Sequence, residues 1–144
     1  MFGSLQPKYM LSMPVNGIYN GSYICILSSH LFIIASYYNA IWKNYIECAL
    51  MVILYISSIN YHAIPTAVNK IVDECIARAI IVHVVGISLY YNNIVPGICT
   101  MISAYMYYGN FAGHSLNTYI SNMYHSIFIH FFGFLAVMSL QYNK

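Results

Sequence analysis

From Ser22 to Trp42 the chain runs without a formal charge, and four more apolar runs follow: Tyr45 to Ile64, Ile71 to Tyr91, Ile94 to Tyr108 and Tyr119 to Leu140. About 20 apolar residues wound as an α-helix are as long as the hydrocarbon layer of a bilayer is thick. Only 6% of the residues are charged and 60% are hydrophobic, whereas a soluble domain carries roughly a quarter charged residues. A chain so poor in charge cannot cover its surface in water, so lipid is its expected solvent. Backbone groups in lipid must be satisfied within the spanning structure, which leaves helices and closed barrels. The runs lack the two-residue alternation of barrel strands. The expected fold is therefore all-α: a polytopic membrane helix bundle of about five transmembrane helices over residues 22–142. An irregular leader, 1–21, precedes it and a tail, 143–144, follows.

The connections are short and polar. Lys43 and Asn44 separate the first two runs, Thr66 to Lys70 the next two, and Asn92 and Asn93 follow the third. The fourth run contains Pro96 and Gly97 and reads as a short, tilted or re-entrant span. The leader shows no basic segment ahead of a short apolar core, so neither a cleavable signal nor a transit peptide is expected. Asn20-Gly-Ser matches a glycosylation sequon close to the membrane entry. Cys25, Cys48, Cys75 and Cys99 fall one to each of the first four runs and read as buried reduced thiols. A net charge of +2 without clustered Lys and Arg excludes a nucleic-acid partner. The bilayer is the expected partner, with a lipid substrate or other membrane subunits beside it. With five spans, Lys8 and Lys70 fall on one side and Lys43 and Lys144 on the other, so the distribution of basic residues sets no orientation.

The stretch Ser57 to Arg78 concentrates the chemistry. Glu74 and Arg78, four apart in the favourable order, are expected to pair. Glu47 and Lys43 are expected near each other at the interface, and His30 and His83 as helix-to-helix hydrogen-bonding groups. Ser58 and His62 share a helix face, and Asp73 follows across a tight turn at the same end of the next helix. The fifth run starts on that side too, with His125 and His130 behind His114 in the preceding loop. One Ser, one Asp and several His thus gather toward one leaflet. A carboxylate within a membrane segment and without an obvious partner is a functional candidate, and clustered imidazoles suit Zn²⁺.

Ser58-x-x-Tyr61-His62, Asp73 eleven residues on, and a final His-bearing helix resemble the CREST superfamily of membrane proteins, which includes alkaline ceramidases, progestin and adiponectin receptors and myomaker-like proteins. The resemblance implies an intramembrane zinc site with His62, His125 and His130 as metal ligands. Ser58 and Asp73 would then be catalytic residues flanking the metal-bound water. Several members hydrolyse lipid amides. The chain departs from the pattern in having five runs where the family has about seven, and in spacing its last two histidines by five residues instead of four. On a regular α-helix residues five apart lie about 140° out of phase, so only a π-turn brings His125 and His130 to one face.

Two functions follow as expectations. One is a zinc-dependent lipid amide or ester hydrolase, or a degenerate relative of one. The other is a non-catalytic structural or accessory protein, such as a subunit of a membrane complex or a viral membrane protein.

Overall fold

The computed structural model describes residues 22–108 and 122–140. The leader, the Asn20 sequon, the 109–121 loop with His114, and the tail lie outside the described residues. Among the described residues the fold is all helical: α1 Ser22–Ile41, α2 Tyr45–Ala63, α3 Ala67–Tyr90, α4 Ile94–Tyr108, a π-helical segment His125–Phe131, and α5 Phe132–Ser139 continuing from it. Each helix packs on the next, and the π segment and α5 return to pack against both α4 and α1. The bundle is a closed ring.

The turns explain why neighbours are antiparallel. At the end of α1 the Asn44 N–H donates to the Asn39 carbonyl (2.8 Å) and the Lys43 N–H to that of Ala40 (3.1 Å). At the end of α3 the Asn93 N–H donates to the Ser88 carbonyl (3.0 Å) and the Asn92 N–H to that of Leu89 (3.2 Å). Both are Schellman caps, which need one residue in the left-handed region. Lys43 (φ 61°) and Asn92 (φ 52°) supply it without glycine. Between α2 and α3, Pro65 stops the first helix, because the residue before a proline avoids the helical region. The Thr66 hydroxyl then caps the second by accepting from the Asn69 N–H at 3.1 Å. That cap corrects the expected polar turn: Ala67 to Lys70 already belong to α3. Pro96 sits in the first turn of α4, where a missing N–H costs nothing. The fourth run is thus a regular helix of 15 residues, about 22 Å long.

Small polar residues lie inside the bundle together with an apolar core, and large apolar side chains lie outside it. Ser29, Ser36, Asn39, Ser57, Ser58, Thr100, Ser103 and Ser126 are buried, beside an apolar core built from Phe32, Met51, Leu54, Ile80, Val84 and Val137. Leu27, Ile46, Val82 and Leu89 are each about two-thirds exposed or more, at 66%, 65%, 72% and 73%. Small hydroxyl-bearing residues bring helix backbones close together. α1 and α2 are long and apolar enough to cross a membrane.

A close approach joins α3 and α4 at Ser88 and Gly97. The Ser88 hydroxyl donates to the Asn93 carbonyl and accepts from the Gly97 N–H at 3.2 Å. A Cβ on Gly97 would stand 3.1 Å from Ser88 Oγ, whereas one on Gly86 would meet nothing within 4 Å. Gly97→Leu is expected to cost about 1–3 kcal/mol by overpacking this contact. Gly86→Leu should leave thermal unfolding in detergent nearly unchanged, and equal losses in the two variants would contradict the packing described.

Candidate metal centre

Five structural elements deliver polar side chains to one end of the ring. They are the first turns of α1 and α3, the last turns of α2 and α4, and the start of the π segment. His62, in the last turn of α2, is buried and faces inward. Its ring centroid lies 5.1 Å from that of His125 and 5.5 Å from that of His130, and the last two lie 4.8 Å apart. The three imidazoles form a triangle. The π segment makes it possible: i→i+5 hydrogen bonding puts residues five apart one turn apart, so His125 and His130 share a face despite a spacing that a regular α-helix would splay.

The nitrogens are aimed as well as near. His125 Nε2 and His130 Nε2 are 3.1 Å apart. Two nitrogens bound to one tetrahedral Zn²⁺ at ordinary bond lengths stand about 3.3 Å apart. On the far side of His130, Nδ1 lies 2.6 Å from Ser28 Oγ, and the Ser28 hydroxyl donates to the Cys25 carbonyl at 3.1 Å. With the Ser28 proton directed at the Cys25 carbonyl, this contact suits the Nδ1–H tautomer of His130, whose Nε2 lone pair would face the other two rings. This is the outer-shell arrangement that fixes a ligand imidazole. His62 Nε2 is fully buried with no hydrogen-bond partner among the described residues. Burying such a group unpaired costs roughly 1–3 kcal/mol, which a cation at the triangle would offset. Cys25, fully buried one turn into α1, adds a sulfur. Its Sγ and one ring nitrogen from each of His62 and His125 all lie within 4.8 Å of one another, a group that could hold a metal ion.

Ser58 and Asp73 stand beside the triangle without pointing their known hydrogen bonds at it. Both line a cavity of about 90 Å³ together with His125 and His130, its other walls mainly apolar. Ser58 Oγ bonds Ser29 Oγ at 2.9 Å, and Ser29 donates to the Cys25 carbonyl at 2.7 Å. That relay makes Ser58 the donor toward Ser29 and leaves its lone pairs as acceptors. Asp73 Oδ1 accepts from Ser57 Oγ at 2.8 Å, so the carboxylate expected to lack a partner is anchored by the serine next to the one the spacing singled out. The expected Glu74–Arg78 pair is present at 3.1 Å, and Lys70 lies 3.7 Å from the same carboxylate.

Other expectations are corrected. Glu47 is buried in the first turn of α2 and faces His83 Nε2 of α3 at 3.6 Å. His30 is exposed and its hydrogen bond goes to the carbonyl of Ile26 in its own helix at 2.9 Å, while its ring meets Tyr55 of α2 edge-on at 5.4 Å. Cys25 and Ser28 were not singled out from the sequence. The topology that gathers His62 and His125 at one end also places the start of the first run there, and that was the available signal.

Ser28→Ala should free the His130 ring and lower affinity for Zn²⁺ by about 10- to 100-fold, the usual effect of losing an outer-shell partner. Competition titration of the detergent-solubilised protein against a fluorescent chelator measures this. An unchanged affinity would remove Ser28 from the site.

Searches against protein-family models, curated proteins and solved structures find no match to this chain.

Proposed function

We propose that this chain is a small multi-pass membrane protein whose five helical rods enclose a zinc centre at one end of the bundle. The centre rests on His62, His125 and His130 and hydrolyses a lipid amide or ester, as the CREST resemblance implies. The observation that carries the reading is the imidazole triangle formed across a π-turn, with the unpartnered His62 Nε2 at one corner. The membrane reading is supported by the apolar exterior and by α1 and α2. It is supported too by α3, whose charges end at Arg78 and leave the rest of the helix to Tyr90 without any.

A zinc ion held there supplies Lewis acidity and lowers the pKa of a bound water toward ~7. The remaining work falls to the chain. The three imidazoles hold the cation, and Ser28 orients one of them. The Asp73 carboxylate, fixed through Oδ1 by Ser57, serves as the proton acceptor facing the cavity. Ser58, its proton given to Ser29, accepts a hydrogen bond from whatever lies beside it. The apolar cavity walls suit a hydrocarbon chain next to the polar end, and so a lipid substrate.

A second reading is favoured by one observation: the hydrogen bonds of Ser58 and Asp73 engage protein hydroxyls. In that reading the centre is structural and the protein is a non-catalytic membrane component. Metal analysis by mass spectrometry is expected to find about one zinc per chain, lost in His62→Ala. Asp73→Asn should keep the metal but slow cleavage of a fluorescent long-chain amide by about 10²- to 10⁴-fold. Zinc without cleavage in the wild-type protein would select the second reading. A zinc-free wild type with intact helical circular dichroism would end both forms of the metal proposal.

A further inference from the structure

The imidazole triangle leaves a question of coordination number: three nitrogens make an open centre, and a fourth protein atom would close it. Among the described residues Cys25 shares with His62 and His125 a group whose ligand atoms all lie within 4.8 Å of one another, and His130 Nε2 stands 3.1 Å from His125 Nε2 beside that group. Cys25 is fully buried in the first turns of α1, reaching the centre from the helix that closes the ring. For a tetrahedral zinc, a bound sulfur and a bound nitrogen stand about 3.6 Å apart. The Sγ and the ring nitrogens of His62 and His125 lie within 4.8 Å of one another, so a shift of about one ångström, within the reach of small side-chain rotations, seats all three.

Two further contacts favour sulfur coordination. Ser126, one residue after His125 in the π segment, donates its hydroxyl to Cys25 Sγ at 3.7 Å. Such an outer-shell donor steadies a thiolate. His62, whose Nε2 is buried and without a hydrogen-bond partner among the described residues, belongs to the same three-residue group. Sulfur and imidazole together are the donor set of zinc and of other borderline or soft cations.

We infer that Cys25 is a thiolate ligand of the centre, completing a Cys-His₃ shell with His62, His125 and His130. This rests on the metal centre proposed above and changes its character. When the metal binds, the Sγ–H bond now directed at the Asn122 carbonyl (3.5 Å) breaks, the proton leaves to solvent, and a sulfur–metal bond forms. With four protein ligands the shell is closed, as in structural zinc sites. Turnover requires the sulfur to yield its place, so Cys25 governs whether water reaches the metal.

The test uses the full-length protein in detergent, titrated with Co²⁺. The wild type should show the visible bands of tetrahedral cobalt together with a near-ultraviolet sulfur-to-cobalt charge-transfer band. Cys25→Ser should retain the visible bands and lose the ultraviolet one, with affinity weakened about 10-fold or more. Tetrahedral cobalt in the wild type without the charge-transfer band would overturn the role of Cys25 while leaving the imidazole centre standing. Absence of cobalt bands altogether would overturn the centre itself. The wild-type spectrum decides the question even if Cys25→Ser fails to fold.

Discussion

Apart from Nε2 of His62 and of His83, buried polar side-chain groups among the described residues find their hydrogen-bond partners on the bundle itself, and the helix arrangement follows from that. Ser29 donates to the carbonyl one turn back, as does Thr100 on Pro96, and Asn39 Nδ2 does the same on Ala35. Side chains satisfied so locally stay short and close to the backbone, which lets neighbouring helices approach. The few polar groups that reach farther then join one helix to another: Ser57 to Asp73, Ser58 to Ser29, Ser103 to the Phe128 carbonyl, Asn93 to that of Ser139. These bridges connect α2 with α3, α2 with α1, α4 with the π segment, and the turn before α4 with the end of α5.

The same logic organises the centre. His130 is oriented by Ser28, Ser28 is fixed by the Cys25 carbonyl, and that carbonyl also receives Ser29, which holds Ser58. One carbonyl on α1 therefore sets the hydrogen-bond direction of a histidine on the last helix and of a serine on the second. Substitutions around Cys25 act on both at once, and their effects should not be additive.

The helices were legible because length and charge settle them. Three of the five runs match their helices within a residue at both ends, the start of the fifth lies outside the described residues, and the exception, the third, has a physical cause. Ala67 to Lys70 looks like a turn by polarity, yet Thr66 caps the helix ahead of it and the first turn is exposed. The site was legible in part. The five-residue spacing of His125 and His130 demanded a π-turn, and the structure has one there. The partner of Asp73 was misjudged because Ser57 and Ser58 are adjacent, and linear spacing does not say which neighbour turns outward. Cys25 was hidden for another reason. A cysteine in an apolar run carries no local mark of its role, and only ring closure by the last helix brings it beside His62.

The π segment has a consequence for everything downstream of it. One extra residue in a regular helix turns all that follows by about 100°. Here the surplus is absorbed within a single widened turn, so Ala136, Val137 and Leu140 still present their side chains to the core. The segment works as a phase corrector: it re-aims two histidines without rotating the half of the helix that locks the ring shut. A chain shortened by one residue between His125 and His130 could keep the two rings together on an ordinary helix. The five-residue spacing and the wide turn therefore form a matched pair, and neither is interchangeable alone.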